Sequence, residues 1–329
     1  SSQSRGLGDV YKRQIYMVVL YGSMAVGMFF LNFSSPLNFQ PFILVSLFMS
    51  LSLIPILLTK RKAPNFKKIT GMSLRELYKI SPLGMVGSLI YGTTQSALFS
   101  LLAVYAASMN FTIFEISIVT FLLAISGAVA QWPIGKLSDN FDRRLVIIYT
   151  TFGASFFAFC SIIAGGQMYM PGDLATTKYW FYLCVVLFSF CSLPMFAIIF
   201  AHTNDFIPKE KFVAAGAGLQ FAFGVGAISG PFLCSLLMDL VGANGYFIFL
   251  IFFHALIGFF AIHRMRVRDV KENPDSQFTA MPQSITPLGM ELNPITEHIE
   301  EPYSEKVQKM LIRKGVSFKK DEKKVEKDI

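Results

Sequence analysis

An all-α polytopic membrane protein with eight transmembrane helices is what the sequence predicts, and composition, segment length and loop charge each point there. Of 329 residues, 53% are hydrophobic and only 15% are charged, and the mean hydropathy is +0.51. A water-soluble domain of this size could not withdraw so much apolar surface from solvent, so lipid must solvate much of the chain. The chain also holds eight runs of the ~20 mostly apolar residues that a helix needs to cross a bilayer. Lys and Arg, finally, are confined to alternate loops between those runs.

The predicted spans are Ile15–Phe33, Pro41–Thr59, Leu83–Ala107, Ile116–Ile134, Leu145–Gly165, Tyr179–Ala201, Phe212–Met238 and Tyr246–Ile262. One set of connections, SSPLNFQ, SMNFTIFE, GGQMYMPGDLATTK and VGANG, carries a single basic residue, Lys178. The other set, KRKAPNFKKITGMSLRELYK, GKLSDNFDRR, HTNDFIPKEK and RMRVRDVK, carries sixteen, from Lys60 to Lys271. Basic loops are retained on the cytoplasmic side, so both visible termini are expected to be cytoplasmic. The formal charge of +8 therefore reads as orientation in a membrane, not as a nucleic-acid surface. Within the long basic connection, SLRELYKI is amphipathic and is expected to lie along the membrane surface.

Function classes narrow in the same way. There is no nucleophile elbow, no paired carboxylates and no phosphate loop, so no catalytic residue, cofactor or metal is expected and the protein is not read as an enzyme. The cysteines Cys160, Cys184, Cys191 and Cys234 sit in apolar runs without metal spacing and read as small buried hydrophobes. Of the charge-bearing residue types, only His254 lies well inside a predicted span, where a hydrogen bond between helices is its expected role.

Three patterns stand out. The first is Gly135-Lys136-Leu137-Ser138-Asp139-Asn140-Phe141-Asp142-Arg143-Arg144, read as a loop after the fourth span. Gly135 permits close helix approach, Asp139 can cap a positive helix N-terminus, and Arg143 and Arg144 can hold that carboxylate or lipid headgroups. The second is Gly226-Ala227-Ile228-Ser229-Gly230-Pro231, in which small residues four apart favour packing and the proline bends the helix. The third is Gly84, Ser88, Tyr91 and Gln95 at spacings of four, three and four, which share one face of the third span. Ser88, Tyr91 and Gln95 are candidates to line a substrate cavity. So is Gln220, which has nothing local to satisfy it. His202, Asn204 and Asp205 are expected to cap and close a loop.

The first pattern resembles the cytoplasmic signature of the major facilitator superfamily: Gly135, Asp139, Arg143 and Arg144 match, whereas Asn140 and Asp142 depart from it. The second resembles the Gly-x-x-x-Gly-Pro element of facilitator helices. From Ile15 to Arg268 the chain as a whole is similar to the YcaD-like bacterial branch of that superfamily. A weak likeness between Tyr21–Val26 and Phe223–Ile228 fits two related six-helix halves. The resemblance implies a major-facilitator-type helical bundle. It also implies a secondary active transporter of a small molecule by alternating access. In such a protein Gly135, Asp139, Arg143 and Arg144 act as a conformational switch, and Gly226, Gly230 and Pro231 as a helix-packing motif. The alternative is a facilitator-like scaffold or sensor without transport.

The visible spans would then be helices five to twelve. Residues 1–14 are expected to be a non-native stub, since Ser4–Gln14 reads as the translation of a sequencing-adapter oligonucleotide. Residues 15–59 would close the N-terminal bundle, 60–81 form a cytoplasmic linker, 82–266 form the C-terminal six-helix bundle, and 267–329 form a mostly disordered tail with a short helix over Ser304–Lys314. The expected partners are a small-molecule substrate, with proton or ion coupling open, and the lipid bilayer. Nucleic acid is not among them. A monomer in the bacterial cytoplasmic (inner) membrane is the expected form.

Overall fold

A computed structural model gives the fold and describes residues 19, 22–24, 26–32, 38–58, 71–167, 174–208 and 211–267. After a 3-10 turn at Met28–Asn32 come α1 (Gln40–Leu58), α2 (Leu74–Ile80), α3 (Pro82–Ser108), α4 (Ile113–Asn140) and α5 (Arg143–Gln167). They are followed by α6 (Leu174–Ser192), α7 (Met195–Asn204), α8 (Phe212–Val241) and α9 (Gly245–Val267). Among the described residues the protein is all-helical, with six spans long and apolar enough to cross a membrane: α3, α4, α5, α6 with α7, α8 and α9. The expected eight are thus met for six. α1 follows the second predicted span closely, but its described apolar stretch, Gln40–Pro55, is shorter than a crossing needs. Most of the first predicted span, the 1–14 stub and the Ser304–Lys314 helix lie outside the described residues.

Local chemistry sets the boundaries. Ser73 caps α2 by accepting from the Glu76 N–H at 3.1 Å. Ser81 then serves two helices at once. Its N–H donates to Leu77 O at 2.8 Å to close α2, and its hydroxyl accepts from the Gly84 N–H at 3.2 Å to open α3. Pro82 follows at the first helical position, where a missing N–H costs nothing. At the opposite end of the bundle, Thr112 and Glu115 form a reciprocal capping box that starts α4. Gly242, at φ 80°, ends α8 in a conformation that side chains with a Cβ rarely adopt.

Two boundaries differ from expectation. The Gly135–Asn140 segment is not loop but the last turns of α4, which continues past Ile134; only Phe141 and Asp142 separate it from α5. The polar residues there satisfy their own backbone as helix while leaving the apolar layer, so hydropathy alone ends the span too early. The predicted span Tyr179–Ala201 is also interrupted, because α6 ends at Ser192 and α7 starts at Met195. Pro194 lacks the N–H that would continue the ladder, and it precedes α7 as its N-cap.

α3 is the central helix, packed most extensively on α8 and also against α9, α7, α4 and α2. Glycine makes the α3–α8 contact a meeting of backbones. Gly92 rests on the Phe223 backbone, Gly226 on Leu89 O and the Thr93 N–H, and Gly230 on Thr93 O and the Ser96 hydroxyl. Small residues let helices approach closely in lipid, where packing rather than water exclusion drives association. One core cluster gathers Tyr105, Phe181, Tyr246 and Phe247, and a second gathers Tyr91, Phe196, Ile199 and Ile257. A third joins α2 to the bundle through Leu77, Phe212, Ala215 and Leu219.

Candidate functional site

The facilitator-like segment bends where α4 gives way to α5, and this turn brings its charges together. Arg143, the first residue of α5, is nearly solvent-free. Its Nη1 donates to Asp205 Oδ1 and to Ala201 O, each at 2.7 Å, and its Nη2 donates to Asp139 Oδ1 at 3.2 Å. One guanidinium thus ties the start of α5 to the end of α4 and to the end of α7. Arg144 turns elsewhere and pairs with Asp142, Nη2 to Oδ2 at 2.9 Å; the Asp142 carboxylate also accepts from the Arg144 N–H at 3.0 Å. Gly135 is buried on the inner side of α4.

Of the two carboxylates on Arg143, Asp205 is the deeper. Its side chain is 7% exposed, against 37% for Asp139, and it is the closer partner. The expected role of Asp205 is capping and loop closure, with a gating contribution as the lesser alternative; its place opposite Arg143 is not legible from a separation of 62 residues. The single signal was a lone acid at the end of a span that carries basic loops.

The third pattern falls on one face of α3, turned into the bundle. Ser88, Tyr91 and Gln95 are all buried. The Tyr91 hydroxyl donates to Leu193 O at 3.1 Å, at the α6–α7 break, and its ring stacks on Phe196 with centroids 6.0 Å apart. The Ser88 hydroxyl and both amide atoms of Gln95 have no hydrogen-bond partner among the described residues. Gln220 lies on α8, half-buried, and Pro231 stands one residue beyond Gly230 inside the same helix.

The break at Leu193–Pro194 is fastened from several helices. The Ser189 hydroxyl donates to Leu123 O on α4, and Ser126 of α4 donates to Val186 O at 2.7 Å. His254 of α9 lies 2.8 Å from both Leu250 O and the Ser192 hydroxyl. A carbonyl only accepts, so Nδ1 carries a proton, and in the neutral ring Nε2 accepts from Ser192, which satisfies both nitrogens. Among the described residues no group of three His, Cys, Asp or Glu side chains is placed to hold a metal ion.

Comparison with known proteins agrees with these patterns. The family profile of the Major Facilitator Superfamily matches residues 84–313. A protein of Yersinia enterocolitica described as "Uncharacterized MFS-type transporter YE1530" is 24% identical over 235 residues, covering 71% of this chain and 58% of the relative. The "Uncharacterized MFS-type transporter YcaD" of Escherichia fergusonii is 23% identical over 237 residues, with the same coverage. Its Escherichia coli namesake is 25% identical over 199 residues, covering 60% of this chain and 48% of the relative. The chain therefore spans under two thirds of the length of these relatives. No solved structure matches it.

Proposed function

The chain belongs to the major facilitator superfamily and is similar to its YcaD-like bacterial transporters, and on that premise we propose that the whole protein is a secondary active transporter of a small molecule, working by alternating access. The observation that carries this reading is the clamp of Arg143 on Asp205, Asp139 and Ala201 O at one end of the bundle. Alternating access needs two packings of the same helices, with contacts that form in one and open in the other. A buried ion pair between the ends of separate helices suits that task. It is strong while water is excluded and weakens once the helices part and water enters. The α6–α7 break supplies a joint, so that α7 can move with its end held or released by Arg143.

Gly135, Asp139, Arg143 and Arg144 are accordingly assigned to the conformational switch, and Gly226, Gly230 and Pro231 to helix packing. Ser88 and Gln95 are the favoured contacts for substrate or for water in its path, because an amide buried without partners costs about 2–7 kcal/mol in an apolar setting. Tyr91 and Gln220 complete that set. The basic end of the bundle faces the cytoplasm in this reading, by the retention of Lys and Arg on that side.

Proteoliposomes containing the complete protein, screened against a panel of small solutes with and without an imposed pH gradient, test the proposal. Solute flux that Asp205→Asn or Arg143→Ala impairs is the expected result. Absence of flux for every solute, together with no solute-dependent change in cysteine accessibility at the two membrane faces, would favour a scaffold or sensor.

A further inference from the structure

Charge at the clamped end of the bundle does not balance. Among the described residues four carboxylates lie there, and each is spent on a cation of the bundle: Asp139 and Asp205 on Arg143, Asp142 on Arg144, and Glu76 on Lys211 at 2.7 Å. Five cations remain, Arg75, Lys79, Lys136, Arg264 and Arg266, and none is paired with a described acid. Lys136 stands over the Trp132 ring on α4. The other four gather around the joint of α2 and α3. Arg75 and Lys79 lie one turn apart on the exposed side of α2, which they share with Leu74 and Tyr78, while Leu77 packs on the bundle and Glu76 holds Lys211. Arg264 lines an open cleft with Ser81, Pro82 and Leu83, which places the last turn of α9 beside that joint. Arg266 is exposed in the same turn.

The sequence holds a surplus of the opposite sign on the segment that leaves this same place. From Glu272 to Glu305 there are seven Asp and Glu and no Lys or Arg. Retention of Lys and Arg orients a membrane protein, whereas Asp and Glu contribute little, so orientation accounts for the cations and not for this tract. Its second half is the denser: Glu291–Glu305 carries five Glu, with Leu292, Ile295 and Ile299 between them. α9 ends at Val267, 24 residues before Glu291. A flexible chain of that length spans about 25–30 Å on average, and neighbouring helices pack about 8–10 Å apart, so the tract reaches α2 from its tether. Tethering also raises its local concentration to about the millimolar range. An anionic bilayer surface attracts the same cations but repels the tract. The acidic segment and lipid headgroups are thus rivals for one face, and only the segment is covalently held beside it.

We propose that the acidic tract Glu291–Glu305 docks on the exposed side of α2 and the adjoining end of α9. Its carboxylates meet Arg75, Lys79, Arg264 and Arg266, and its Leu292, Ile295 and Ile299 lie against Leu74 and Tyr78. The contact neutralises the leftover cations and covers the two larger apolar side chains that α2 leaves exposed. Being built from solvent-facing charges, it is reversible and weakens with salt.

The test places the complete protein in vesicles of phosphatidylcholine, alone or mixed in equal parts with phosphatidylglycerol, and treats it with a carbodiimide, which joins a carboxylate to a lysine amine only where the two touch. Linked peptides from the monomeric band are identified by mass spectrometry. In phosphatidylcholine, Lys79 should be joined to a glutamate of Glu291–Glu305, and Arg266→Lys should supply a second linked position. The yield should fall about fivefold in the triple variant Glu297→Gln, Glu300→Gln, Glu301→Gln, and about as far when salt is raised from 0.02 to about 0.5 M. It should persist when the basic residues 306–329 are removed. Loss of the link in phosphatidylglycerol vesicles alone identifies headgroups as competitors for the same face and supports the docking. No link to Lys79 or at Arg266→Lys in phosphatidylcholine overturns the proposal, as does an unchanged yield in the triple variant. Links from the tract only to lysines within 306–329 overturn it too. The triple variant alters only residues outside the helical bundle, so it is expected to fold, and the link between Glu76 and Lys211 serves as its internal reference.

Discussion

Arg143 and Asp205 stand 2.7 Å apart across 62 residues of sequence, with both side chains at least nine-tenths withdrawn from solvent. Removing one member of a buried pair strands the other, which typically costs about 3–5 kcal/mol, whereas an exposed pair contributes about 0–1 kcal/mol. Arg143→Ala should therefore lower the thermal midpoint far more than Asp139→Asn, whose carboxylate is 37% exposed and farther away. Asp205→Asn should fall between them, because its amide can still accept from Arg143. Equal midpoints for Arg143→Ala and Asp139→Asn would mean that Asp205 contributes nothing.

Two glycines of α8 separated by one residue should behave in opposite ways. A Cβ at Gly226 would run into Leu89 O and the Thr93 backbone, whereas a Cβ at Gly224 meets nothing within 4 Å. Gly226→Ala is expected to destabilise by about 1–3 kcal/mol through forced separation of α3 and α8. Gly224→Ala is expected to be neutral or to stabilise by about 0.5–1 kcal/mol through helix propensity. Thermal unfolding in detergent distinguishes the two, and matched losses would contradict the packing described.

Gln95 offers a split between stability and function. Its amide has no partner among the described residues, so Gln95→Leu should raise the thermal midpoint while weakening transport by the complete protein. Tyr91→Phe should do the reverse in part: loss of the hydrogen bond to Leu193 O costs about 0.5–1.5 kcal/mol. A Gln95→Leu protein with a lower midpoint and unchanged transport would make Gln95 a packing residue.

The pair of Glu76 with Lys211 provides a pH test. A hydrogen bond from the Lys211 ammonium at 2.7 Å holds the Glu76 carboxyl below its ordinary value of 4.5, helped by the Coulomb attraction of the same group and by its contact with Ser73. A carboxyl whose folded pKa is depressed stabilises the fold above its unfolded pKa and loses that contribution as pH falls through the folded value. The difference in thermal midpoint between wild type and Glu76→Gln should hence be small but constant near pH 7, and should vanish only below about pH 4.5. A difference that instead grows on acidification would show the sign to be wrong.

How much of this was legible beforehand depended on the range of the interaction. Span positions follow from local hydropathy, and for α3, α8 and α9 the expected and observed bounds differ by a few residues at most at either end, with α9 running on through His263–Val267. The Ser81-Pro82 junction and the Thr112–Glu115 box are likewise local, written in neighbouring residues. The break at Leu193–Pro194 leaves no hydropathy signal, because the sequence stays apolar on both sides and only the missing N–H of Pro194 marks it. Asp139 and Arg143 are four residues apart in sequence and 3.2 Å apart in space, so this contact is local in the same sense. The partner that matters more, Asp205, depends on how α5 and α7 pack, and no local pattern encodes that.

Ser81 belongs to two helices with no residue to spare between them. The joint therefore has no slack, and α2 behaves as a tiller on α3: any tilt of α3 becomes a sideways sweep of the short helix. Leu77 on α8 and the glycine contacts between α3 and α8 steer the three helices as one piece. A dye placed on the exposed side of α2, at Tyr78 for instance, would read the rocking of the bundle from outside it, without touching any residue in its interior.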